Sequence, residues 1–96
     1  MFTSETHILE TASKLVRTHG LQRVTREAIA RKVGCASGTI NYYFKSMAAL
    51  RDAIVVAAIK AEDVSVLAKA FGEGHPAVDK LPAALRAKVA NHLMRT

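Results

Sequence analysis

A chain of 96 residues forms one domain with a modest core, too short for that core plus a separate catalytic domain. Its 14 Lys and Arg against 8 Asp and Glu leave a formal charge of +6, which favours an acidic partner, nucleic acid before an anionic membrane surface. The single cysteine, Cys35, excludes an internal disulfide and offers no metal-ligand pair, as expected in a reducing cytoplasm.

The elements follow in chain order. The opening MFTSETHILE lacks the basic start and apolar stretch of a signal peptide. Ile8, Leu9, Ala12, Leu15 and Val16 recur at the spacing of one helical face, after a cap at Thr3 or Ser4. Gly20 ends this first helix in a left-handed conformation, and Leu21 folds back on its last turn. Thr25 caps a second, shorter helix with Ile29, Ala30 and Val33 inward, and Gly34 stops it. A third helix runs from Ser37 to Phe44. Ser46 caps a long fourth that continues to about Ala70. GEGHP, residues 72–76, is the one clear linker, and a last helix runs from Asp79 to Met94 with Pro82 in its first turn. No strand pattern occurs and no apolar stretch approaches the roughly 20 residues of a membrane span. The predicted fold is all-α, with residues 1–47 as a compact head and 48–96 as a packing or dimerisation segment.

Two short helices joined at a glycine turn, the second polar and aromatic outside, describe a helix-turn-helix. On the third helix Ala36, Ile40, Phe44 and Met47 point inward, leaving Ser37, Gly38, Asn41, Tyr42 and Lys45 outward. That outer face suits a major groove: asparagine can pair with N6 and N7 of adenine, and small Ser-Gly residues let the backbone approach. Tyrosine hydroxyls, the Thr25 hydroxyl and the amides at the starts of helices 2 and 3 suit phosphate oxygens, which fix docking without reading sequence. Asn41 can also be read as merely solvated, and Tyr43 borders the core face.

Residues 25–50, TREAIARKVGCASGTINYYFKSMAAL, resemble the DNA-binding helices of the tetracycline-repressor (TetR) family in their Thr at the head of helix 2, Ile-Ala pair, turn glycine and Ser-Gly-Thr-Ile run ending in Tyr-Tyr-Phe. The likeness extends over about residues 5–60. It implies a dimeric transcriptional repressor of double-stranded DNA, with Thr25, Ser37, Gly38, Thr39, Asn41, Tyr42 and Tyr43 at or near the duplex and Arg26 beside them. The family commonly has tyrosine, serine and a phosphate-contacting lysine where this chain has Asn41, Ala36 and Met47; Lys45 is the substitute for that lysine. Family members also add a long helical domain for inducer binding and dimerisation, whereas only about 50 residues follow helix 3 here. No small-molecule inducer pocket is expected.

Residues 53–59, AIVVAAI, are apolar on every side of helix 4, so more than one neighbour must cover it. The last helix, with Leu81, Leu85, Val89 and Leu93, covers one side within the subunit or across a two-fold axis. Expected dimer contacts are Val55, Val56, Ile59, Leu85, Val89 and Leu93. Packing inside a small monomer is the alternative. Cys35 reads as a half-buried apolar group, and His7, His19, His75 and His92 lack ligand spacing, so neither metal nor cofactor is expected. With no catalytic constellation either, the chain is read as a non-enzymatic, cytoplasmic, nucleoid-associated DNA-binding protein. Three functions fit: a minimal dimeric repressor, a phage or plasmid protein that organises DNA or serves replication, and an interaction module that inhibits a full-length relative.

Overall fold

The computed structural model describes residues 4–95, and the possible cap at Thr3 lies outside them. Six α-helices follow in order: α1 Glu5–His19, α2 Arg26–Val33, α3 Ser37–Tyr43, α4 Met47–Ala61, α5 Val64–Gly72 and α6 Ala83–Arg95, with a 3₁₀ turn at Pro76–Lys80 before the last. No strand occurs among the described residues.

Local chemistry explains most of the boundaries. Ser4, Thr25 and Ser46 each accept a hydrogen bond from the backbone amide three residues on, at 3.1, 3.1 and 3.0 Å, and so satisfy one free donor at the starts of α1, α2 and α4. Gly34 closes α2 in the left-handed region, at φ 89° and ψ 35°. Gly20 does not. It has φ 90° but ψ 162°, a conformation only glycine reaches without strain, which sends the chain sharply off α1 and buries Leu21.

The expected long fourth helix is two helices. α4 ends at Ala61, Glu62 turns left-handed at φ 52°, and the Asp63 carboxylate accepts from the Val66 amide at 3.2 Å to start α5. Apolar residues flank this joint closely on both sides of Lys60, Glu62 and Asp63, so periodicity alone joins the two. The expected last helix is shorter as well. Pro76–Lys80 forms the 3₁₀ turn, and Pro82 precedes α6 instead of lying inside it.

One apolar core runs through the chain. Ile8, Ala12 and Val16 of α1 meet Ile29 and Val33 of α2, Ile40 and Phe44, then Leu50, Ile54, Val55 and Ala58 of α4. The same cluster continues through Val66, Leu67 and Ala70 to Val78, Leu81, Leu85 and Val89. α1 packs on α2, α4 and α5, while α6 packs chiefly on α5. The C-terminal helix therefore covers α5, which the sequence reading had merged into helix 4.

Candidate nucleic-acid interface

The site begins with what holds α3 from beneath. Ile40 is fully buried and Phe44 nearly so, whereas Ser37, Gly38, Asn41, Tyr42 and Lys45 are exposed. Apolar residues at positions 40 and 44, one turn apart, anchor the helix and leave its far side to water. Ala36 departs from the expected pattern: it is the exposed N-cap of α3 and makes no side-chain hydrogen bond. Met47 is half-buried at the start of α4. Only Ile40 and Phe44 of the expected inward four lie deep in the core.

The outer face is ordered by its own aromatic contacts. Tyr42 is 72 % exposed. Its ring stands edge-on to Tyr43 with centroids 5.3 Å apart, and the Lys45 Nζ lies 5.8 Å from the Tyr42 centroid, within range of cation–π attraction. Tyr43 is half-buried against the core, and Thr39 is likewise half-buried. The outward surface is thus a Ser-Gly front, Asn41 in the middle and a Tyr42–Lys45 pair behind. It carries neutral hydrogen-bonding groups at its centre and positive charge at its rim.

At the head of α2, the Thr25 oxygen accepts from Ala28 N. A hydroxyl engaged this way keeps its proton for a second acceptor. Arg26 next to it is half-buried, makes no ion pair among the described residues, and has a buried Nε without a hydrogen-bond partner. Two further cations belong to this region though the motif does not single them out: Arg31 and Lys32, exposed in the last turn of α2. Their signal in the sequence is plain charge.

A carboxylate from the far half of the chain fixes the turn between α1 and α2. Glu73, just past α5, accepts from the Leu21 amide through Oε2 and from the Gln22 amide through Oε1, both at 2.7 Å. Both amides are left without helical partners by the sharp exit at Gly20. A Cβ at Gly20 would come within 3.3 Å of the Glu73 carboxylate, so the glycine also makes room for the clamp. At the opposite end of α5, Asp63 pairs with Arg17 of α1. Acids at both ends of α5 therefore grip the end of α1 from which α2 departs. Nothing in the sequence marks Glu73 for this role, because its partners are backbone amides 51 and 52 residues away.

The expected dimer contacts divide. Val55, Leu85 and Val89 are buried in the chain's own core, Ile59 and Leu93 are half-buried, and Val56 is 45 % exposed. Between α1 and α4 runs an open groove of about 610 Å³, floored by Leu9, Ala57, Ala58 and Ala61, with Lys14 and Lys60 among its rim residues.

A short glycine-turned helix pair whose second helix stands on an apolar underside and shows a polar, aromatic outer face defines a helix-turn-helix DNA-binding head. The comparison with known families identifies it further: residues 8–54 match the model for bacterial regulatory proteins of the tetR family, and the chain carries a TetR-family helix-turn-helix DNA-binding domain. No curated protein and no solved structure matches the chain. Among the described residues no helix is long and apolar enough to cross a membrane.

Proposed function

We propose that the chain is a minimal dimeric transcriptional repressor of the TetR type, which blocks transcription by occupying a short palindrome in duplex DNA. The observation that carries this reading is the outer face of α3, where Ser37, Gly38, Asn41, Tyr42 and Lys45 stand exposed over buried Ile40 and Phe44. In it, residues 1–47 are the reading head and 48–96 hold the head and join the two copies.

The roles follow from the chemistry of each group. Asn41 reads an adenine edge, for which a carboxamide supplies one donor and one acceptor. Ser37 and Gly38 let the helix approach the groove floor. Tyr42, Thr25 and Lys45 dock on phosphates, flanked by Thr39 and Tyr43. Arg26 belongs with them by its place beside Thr25 at the head of α2. The protein works without catalysis, metal or cofactor, in the cytoplasm on the nucleoid. Control comes from protein level or a partner and not from an inducer in an internal pocket; the groove between α1 and α4 is open at the surface instead of enclosed.

Footprinting on the DNA adjoining its own gene tests the reading. A single short palindrome, protected at low salt and released steeply as salt rises, is expected. A long footprint over repeated sites would replace repression by DNA organisation. No protection at any salt would remove DNA binding and leave an interaction module.

A further inference from the structure

α4 buries Leu50, Ile54, Val55 and Ala58 on one side. Its opposite side carries Ala49, Asp52, Val56 and Lys60, all exposed, with half-buried Ala53 and Ile59 on its flanks. Val56 lies at the centre of this face, directly opposite the core, and is one of four large apolar residues exposed among the described residues. Asp52, Val56 and Lys60 follow one another at intervals of four, so they form a single ridge along the helix.

That ridge is complementary to itself in one sense only. Lay two copies side by side antiparallel, with Val56 meeting Val56, and Asp52 of each falls beside Lys60 of the other. A parallel pairing would set Asp52 against Asp52 and Lys60 against Lys60. Packing two such rows together is the commonest helix crossing in globular proteins, at about −50°. Both charges are free to take part. Lys60 makes no ion pair among the described residues. Asp52 gives one oxygen to His75 Nε2 at 2.9 Å, yet its side chain stays 69 % exposed.

We propose that two copies of the chain meet on this face, in an antiparallel α4–α4 contact with Val56 on the two-fold axis and two Asp52–Lys60 pairs across it. The inference deepens the dimeric part of the function proposed above. It moves the contact away from Val55, Leu85 and Val89, which are spent inside the chain. The start of α4 lies nine residues from Val56, or about 13 Å along the helix. An antiparallel contact therefore carries the two heads to opposite ends, as two-fold half-sites on DNA require. One crossing of two helices buries less than the roughly 1,200 Å² of a stable interface, so the free protein exchanges between monomer and dimer, and DNA with two half-sites favours the pair.

The test uses the full chain without DNA. In a Cys35→Ser background, Val56→Cys should cross-link to itself under mild oxidation, because residues on the axis of such a crossing have Cα atoms about 4–5 Å apart, within disulfide reach. Phe71→Cys and Met94→Cys, at exposed apolar sites off the axis, serve as controls and should link at least about tenfold more slowly. Sedimentation adds a charge arm. Lys60→Glu should weaken self-association about tenfold, and Asp52→Lys combined with Lys60→Glu should recover most of it, with circular dichroism confirming that each variant is folded. Cross-linking at 56 no faster than at the controls, or a charge swap that fails to restore association, overturns the α4 contact. If the chain still sediments as a dimer in that case, its copies meet elsewhere and the repressor reading stands. A chain that is monomeric at all concentrations and occupies its DNA singly overturns both.

Discussion

α3 and α4 are joined by three residues and solve opposite problems. α3 has seven residues, of which Ile40 alone lies deep in the core, with Phe44 buried just past its end, and gives the rest of its surface to polar and aromatic groups. α4 has fifteen, buries Leu50, Ile54, Val55 and Ala58, and is apolar apart from Arg51, Asp52 and Lys60. A helix of two turns has little stability of its own, so α3 can present a hydrogen-bonding surface only because α2 packs against it and Ile40 and Phe44 reach the core it shares with the other helices. The proposed reading surface and its support are thus separate in sequence but not in energy, and perturbing one against the other tests the difference.

The largest effect should come from the support. Leu67→Ala lies in α5, well outside the matched family segment, yet Leu67 is fully buried in the common core. It should cost about 2–5 kcal/mol. Urea unfolding followed by circular dichroism should show one transition shifted as a whole. A two-step transition in which the head persists would separate the halves.

Glu73→Ala is next. It leaves the Leu21 and Gln22 amides without their carboxylate, at a cost of about 1–3 kcal/mol, and loosens the turn that aims α2. Chemical denaturation should register the loss, and duplex affinity should fall although Glu73 is acidic and would only repel phosphate. Affinity that rises on removing this negative charge would show that the clamp does not position the head.

Lys45→Ala falls on the proposed reading surface and should leave stability nearly unchanged. Duplex affinity should drop on all sequences alike, and the slope of log affinity against log salt should shrink by about one. Fluorescence anisotropy across a salt series measures both. A smaller gain is expected at the α4–α5 joint, where Glu62 holds a left-handed conformation. Glu62→Gly removes strain worth about 1 kcal/mol, and thermal unfolding should rise slightly even though the exposed Lys88–Glu62 pair is lost.

The contrast between α3 and α4 also explains what the sequence made legible. Ser4, Thr25, Gly20, Gly34 and Ser46 act locally, through caps and turns that one residue type performs best, so the starts of α1, α2 and α4 could be placed from sequence. The α3 face was legible for the same reason, since Ile40 and Phe44 set its underside. The break at Glu62 was not, because glutamate is a poor marker of a left-handed turn and apolar residues resume directly beyond Asp63. Nor was the clamp at Glu73, which joins residues far apart in the chain through backbone groups that every sequence possesses. Ala36 was misplaced because a helical wheel assigns it inward while its cap position turns it out.

Competition binding by Asn41→Ala and Tyr42→Phe, each against an operator and its single-base changes, tests most directly whether α3 reads DNA. Asn41→Ala should relax preference at one position by about 1–3 kcal/mol, having removed a paired contact to adenine. Tyr42→Phe should weaken binding evenly across all sequences, because a phosphate contact carries no base information. If folded variants at both positions bind and discriminate as the parent does, α3 is not the reading helix.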